Sequence, residues 1–143
     1  MKTTAVVLAT MLLAFASKAQ GVTPEHSYFT NAAKYGPTVI AMAEKGYANS
    51  LKCENEGVVE SALAQVTVMK ITLPTRAFKG LEAEIAKLVK NACTPELRYK
   101  AYLAQVAMQH PEIFTTVSVQ SFKNNDELFG EMSNRLISYS SAR

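Results

Sequence analysis

The sequence has 143 residues, of which 48% are hydrophobic and 19% charged, and its formal net charge is +3. Two of the positive charges, Lys2 and Lys18, lie among the first residues, so residues 20–143 carry only +1. That length suffices for one domain with a sizeable core, but not for two. Its basic residues are spread among acids without a basic stripe, which argues against nucleic acid as a partner.

Residues 1–19 have the pattern of a secretory signal peptide. The apolar run Ala5–Phe15 is shorter than the ~20 residues of a transmembrane helix. Ser17 and Ala19 are the small residues that a cleavage site after Ala19 requires. Cleavage after Ala16 is the second choice. We expect a secreted or periplasmic protein with no transmembrane span after cleavage. The alternative is an N-terminal anchor helix.

Residues 20–143 are predicted to form a single helical domain that begins with a helical cap at residues 22–52. A first helix is expected from Thr23 to Tyr35, because its Thr-Pro-Glu start combines a hydroxyl N-cap, a first-turn proline and an acid. Gly36 ends this helix, and Pro37 begins a second one that runs to about Gly46.

Residues 53–110 contain an internal sequence repeat of two copies. Cys53–Lys70 and Cys93–His110 align without gaps and are identical at six of eighteen positions. A period near 40 residues that begins with a helix is typical of helix-hairpin repeats. Matched positions are neighbours in such a stack, so Glu60 and Lys100 are expected to pair. Helices are predicted over residues 56–72, 78–91 and 95–109.

Val66–Thr72 is rich in β-branched residues and could instead form a strand. We favour a helix because the preceding Glu60–Gln65 is strongly helical and the second copy has no β-branched excess.

Cys53 and Cys93 are the only cysteines, and both follow the leader. In an oxidising compartment two cysteines most often pair, so we expect a disulfide between them. Closing a loop of about 40 residues would stabilise the fold by roughly 4 kcal/mol on the chain-entropy account. The alternative is a pair of free, buried thiols.

Pro95–Ala101 resembles the opening of the first helix in HEAT or armadillo-like repeats, where an acid, an aliphatic residue, an Arg and an Ala recur. The first copy is less similar, because Val58 stands where the Arg would be. The resemblance covers residues 56–109 and implies an all-α fold, a short right-handed stack of helical hairpins with about five to six helices.

Residues 111–143 are predicted to form a connector and a C-terminal helix. Ile113–Val119 alternates like a strand, but a lone strand is unstable. We therefore expect either an irregular connection over residues 112–122 or a short helix after Pro111. A last helix, capped near Asn124, should run to about Ser138 and close the stack.

The sequence contains no nucleotide-binding, nucleophile or zinc motif, so we expect no enzyme, no cofactor and no metal site. The leading hypothesis is an exported helical-repeat module that binds another protein or an envelope component. Its candidate binding surface is a ridge formed by Arg98, Tyr102, Lys87 and Lys90. The alternative is that these four side chains make only ordinary contact with solvent.

A second hypothesis is a small helical carrier of an apolar ligand. Its cavity would be lined by Met42, Met69, Met108 and Phe129, although methionines at helical spacing are more often plain core. A third is a structural envelope protein.

Overall fold

The computed structural model describes residues 27–143, and within this range the chain is all-helical with no strand. The five α-helices are α1 (Pro37–Ser50), α2 (Glu56–Thr72), α3 (Lys79–Asn91), α4 (Pro95–Gln109) and α5 (Asn125–Ser141). Short 3₁₀ turns occur at Ala32–Lys34, Pro111–Phe114 and Val119–Ser121. The predicted all-α class is confirmed for this part of the chain, whereas the predicted signal peptide lies outside the described residues.

Helix α2 is the centre of the bundle, and it contacts α1, α4, α5 and two of the 3₁₀ turns. Asn55 caps it by accepting a hydrogen bond from the Val58 amide at 3.2 Å. Burial extends around the girth of the helix to Leu63, Val66 and Thr67. The Thr67 hydroxyl donates to the Leu63 carbonyl at 2.7 Å, so no unsatisfied group is buried there. The strand alternative for residues 66–72 is therefore wrong.

Helix α3 packs against α4 and α1 through one apolar face, on which Leu81 and Ile85 are fully buried. The following helix, α4, begins at the predicted residue. The Thr94 hydroxyl accepts a hydrogen bond from the Leu97 amide at 3.2 Å, and Pro95 occupies the first turn. Local capping signals therefore place the start of α4 correctly.

The N-terminal segment differs from the predicted helix Thr23–Tyr35. The start of that helix at Thr23 lies outside the described residues. Residues 27–35 contain only the 3₁₀ turn Ala32–Lys34, which Asn31 caps by accepting from the Ala33 amide. The rest of this segment is non-helical, and it places Phe29 fully in the core. The continuous helix to Tyr35 is wrong because tertiary burial overrides its local start signal.

Two later boundaries also differ from expectation. Helix α1 continues through Gly46 to Ser50, since Tyr47 and Leu51 beyond the glycine pack on the core. A glycine inside a helix costs about 1 kcal/mol relative to alanine, which such burial exceeds. Helix α5 runs to Ser141 rather than Ser138. The connector contains two 3₁₀ turns, as the irregular alternative allowed.

Lys100 joins the N-terminal turns of three helices. Its ammonium lies 3.0 Å from Glu60 of α2, 2.9 Å from Glu96 of α4 and 2.7 Å from Asp126 of α5. The predicted pairing of Glu60 with Lys100 is thus confirmed. The Lys100 side of this pair is buried, since Lys100 is only 6% exposed. Burial lowers its pKa, but hydrogen bonds to the three carboxylates outweigh that effect and hold the pKa above its ordinary value.

The predicted disulfide between Cys53 and Cys93 is wrong in this structure: both thiols are free and exposed. Each cysteine lies in the loop just before a helix, at matched positions of α2 and α4. A disulfide requires Cα atoms within about 7 Å, and helix axes pack roughly 8–10 Å apart, so the loops would have to bend together. The two cysteines are not near one another, and the loops do not bridge that gap.

We predict that iodoacetamide alkylates both Cys53 and Cys93 in the folded protein, purified without reductant, because both thiols are exposed. Intact-mass spectrometry should show two adducts, and the same reaction in urea should add no more. Protection of both thiols until a reductant is added would contradict the structure.

We also predict that Lys100→Met lowers the free energy of unfolding by about 1–3 kcal/mol, because three charge-assisted hydrogen bonds are lost. Urea denaturation followed by circular dichroism measures the change. The matched control is Lys87→Met, which removes an exposed pair with Glu84 and should change stability by less than about 1 kcal/mol. Equal losses in the two variants would mean that burial adds nothing to the Lys100 pairs.

Candidate functional site

The ridge predicted from the sequence is partly used within the fold. The Arg98 guanidinium donates to the Ala92 carbonyl, the C-cap of α3, at 2.7 Å. Lys87 lies 2.8 Å from Glu84, and this hydrogen bond lowers the pKa of Glu84 against the opposing effect of burial. Arg98 therefore joins α4 to the end of α3, whereas the Lys87–Glu84 pair lies within α3.

The other two ridge residues, Tyr102 and Lys90, are exposed. Tyr102 stacks on Tyr99 with ring centroids 6.3 Å apart, and the Tyr99 hydroxyl is 2.7 Å from the Ser133 hydroxyl of α5. The Tyr99 side chain therefore ties α4 to α5, and the ridge stays a prediction.

A concave surface occurs instead between α1 and α2. It consists of two cavities of about 360 and 190 Å³ that share Tyr47 and Gln65, and we call their union the α1–α2 groove. The α1 wall is formed mainly by Val39, Ala43 and Tyr47. The α2 wall is formed by Val58, Ala62, Gln65 and Met69.

The groove is bordered by large apolar side chains that the fold leaves exposed. Tyr35 and Val39 are each 49% exposed and Val58 is 41% exposed, and all three line the groove. Isolated exposed apolar residues are normal on a protein surface. A set gathered along one apolar concavity is instead typical of an interaction site.

Polar side chains also line the groove, among them Tyr47, Ser61 and Gln65. Tyr47 is half-buried, and burial raises the pKa of its hydroxyl, which therefore stays protonated as a hydrogen-bond donor. Asn55 and Gly57 line one end. Each is flanked in sequence by an exposed acid, Glu54 or Glu56, so this end of the groove is acidic.

The structure does not gather the residues suggested for an apolar-ligand cavity. Met69 lines the α1–α2 groove, and Met42 is exposed. Met108 is buried, and the buried Phe129 ring faces the Lys100 ammonium, whose Nζ lies 6.0 Å from the ring centroid.

Sequence reasoning missed the groove because its residues come from separate helices. The available signal was in α1, where Val39 and Met42 together with Ile40 and Ala43 place apolar residues on more than one face. A helix with so much apolar surface requires a second covering surface. Only Ile40 of these is fully buried in the fold.

No protein-family model, curated protein or solved structure matches this chain. Across residues 27–143 we find no group of His, Cys, Asp and Glu side chains suited to a metal ion. The same residues include no helix with both the length and the apolar character to span a membrane.

We predict that Arg98→Ala lowers the free energy of unfolding by about 1 kcal/mol, because the Ala92 carbonyl at the end of α3 loses its charged donor. The matched control is Lys90→Ala on the exposed side of α3, expected to stay within about 0.5 kcal/mol of the parent. Urea denaturation of both variants measures the difference. Indistinguishable midpoints would show that the Arg98 hydrogen bond contributes nothing to stability.

Proposed function

We propose that this protein is an exported helical module that acts by binding an amphipathic helix of a partner protein in the α1–α2 groove. The observation that carries the proposal is the exposed apolar lining of the groove, in particular Tyr35, Val39 and Val58. A helix presents side chains three and four residues apart on one face, and such a face fits an apolar groove between two helices.

The charge of the groove specifies the chemistry of the partner helix. Residues 54–60 contain Glu54, Glu56 and Glu60 and no basic residue. Glu60 is engaged by Lys100, whereas Glu54 and Glu56 are exposed beside the groove. Exposed acids favour a partner whose apolar face is flanked by Lys or Arg, and they speed association more than they strengthen it.

Export and the HEAT-like stack belong to the same proposal. The signal-peptide pattern supports export, and an intact mass beginning at Gln20 in the secreted or periplasmic fraction would test it. The ion pair between Glu60 and Lys100, at matched positions of the two units, supports a stacked arrangement of α2 and α4. Helical stacks generally act by presenting surfaces to other macromolecules.

We predict that a fluorescein-labelled helical peptide of leucine and lysine, with the leucines on one face, binds the protein. Fluorescence anisotropy measures its dissociation constant. A peptide with the same leucine pattern and glutamate in place of lysine should bind more weakly, because it meets Glu54 and Glu56.

Val58→Asp should weaken binding of the basic peptide by at least about tenfold, since it brings an unpaired charge into the apolar groove. Asp is tolerated in the first turn of α2, where an acid suits the helix dipole, so the variant should fold. The matched control is Tyr102→Asp, at an exposed position of α4 that lines neither cavity, which should leave peptide binding intact. Equal loss in both variants, or no binding by the parent, would contradict the proposal. An apolar small molecule that co-purifies, detected by native mass spectrometry, would favour the carrier hypothesis instead.

A further inference from the structure

We infer that the helix bound in the α1–α2 groove is the C-terminal half of α5 from a second copy of this chain, so that two copies exchange these segments. This inference rests on the proposed function of the groove and names its occupant. We call residues 134–143 the α5 tail.

The α5 tail has little cover in its own copy. The buried residues of α5 are Leu128, Phe129 and Met132, all in its first half. Beyond them Ile137 is 61% exposed and Tyr139 is also exposed. Short helical segments are marginal in water and gain most of their stability from packing. Leu136 packs against the core, so the tail is covered on that side and presents Ile137 uncovered on another.

The serine hydroxyls of the α5 tail are already satisfied, which lowers the cost of burying them. Its three serines donate to the carbonyl one turn earlier: Ser138 to Asn134, Ser140 to Leu136 and Ser141 to Ile137, at 2.9–3.0 Å. Hydroxyls bonded in this way leave no orphan donor when a surface is desolvated. A helix of small, satisfied residues around Ile137 can approach another helix closely.

The groove offers the matching features. Gly57, Ser61 and Ala62 line its larger cavity, and small side chains allow the axis of an incoming helix to come near. The exposed Glu54 and Glu56 lie beside this cavity.

The tail is basic in turn, with Arg135 and Arg143 and no acidic residue. Arg135 is bonded to Glu131 and Thr116 within its own copy. Arg143 lies over the Tyr139 ring, with its guanidinium carbon 5.1 Å from the ring centroid. Arg143 is therefore the residue placed to meet the acids of a second copy.

The α5 tail does not enter the groove of its own copy, because none of its residues lines either cavity. Asn125, at the start of α5, touches Ser61 of the groove through a hydrogen bond of 3.5 Å. Ile137 lies twelve residues further along a continuous helix, about 18 Å away at 1.5 Å per residue. The occupant must come from another molecule, and a two-fold arrangement lets each copy give one tail and receive one.

Sedimentation velocity on the purified full chain tests this arrangement. The parent should be a dimer, whereas Val58→Asp, which damages the groove, and Ile137→Asp, which damages the tail, should each weaken dimerisation by more than about tenfold. An equimolar mixture of the two variants should recover dimers, because the intact tail of one fits the intact groove of the other. Tyr102→Asp, at an exposed position outside both surfaces, should stay dimeric.

Charge reversal provides a second test that leaves the apolar residues in place. Glu56→Lys and Arg143→Glu should each weaken the dimer, and the two variants together in one chain should restore it. A monomeric parent, a mixture that stays monomeric, or failure of this rescue would overturn the inference.

The two proposals fail in different ways. A monomeric parent that still binds the leucine–lysine peptide in the groove overturns tail exchange but leaves the proposed function standing. A dimer that survives Val58→Asp, in a protein that does not bind the peptide, overturns both.

Discussion

The buried ammonium of Lys100 is the constraint on which the arrangement of the helices depends. A charge taken out of water is costly unless it is paired and hydrogen-bonded. The pairing carboxylates come from three different helices, Glu60 on α2, Glu96 on α4 and Asp126 on α5. Satisfying one cation therefore fixes the N-terminal turns of all three helices at one end of the bundle. The connector after α4 must then return the chain to that end before α5 begins.

Given that constraint, α2 is covered on most of its circumference. Helices α4 and α5 take two of its sides, and α1 with the N-terminal segment takes a third. The cover by α1 is incomplete, because its Tyr47 reaches the α2 surface while Val39 and Met42 remain exposed. The apolar groove is the space that this incomplete contact leaves. Its existence follows from the packing, and Glu56, one of the two acids near its end, also favours the start of α2.

The proposed recognition uses the same physical terms as the fold. An apolar groove between helices favours a helix, and charge at its end favours a basic one. The α5 tail meets both requirements while its Ile137 lacks cover. The stacking of α2 on α4 through matched residues, the unfilled groove and the uncovered Ile137 of the tail are all consistent with a module that works by association.

The sequence by itself determined the elements whose signals are local. Asn55, Thr94 and Asn124 mark helix starts because their side chains satisfy the first free amides, and the alignment of the two units brought Glu60 to Lys100. Only the tertiary structure decided how far Lys100 is buried, that the cysteines stay apart, and that Phe29 draws its segment out of a helix. It also decided the groove, since Val39 of one cavity and Val58 of the other come to line one surface only when α1 packs on α2. Capping and periodicity act within a few residues, whereas burial and cavity shape depend on contacts between residues distant in the chain.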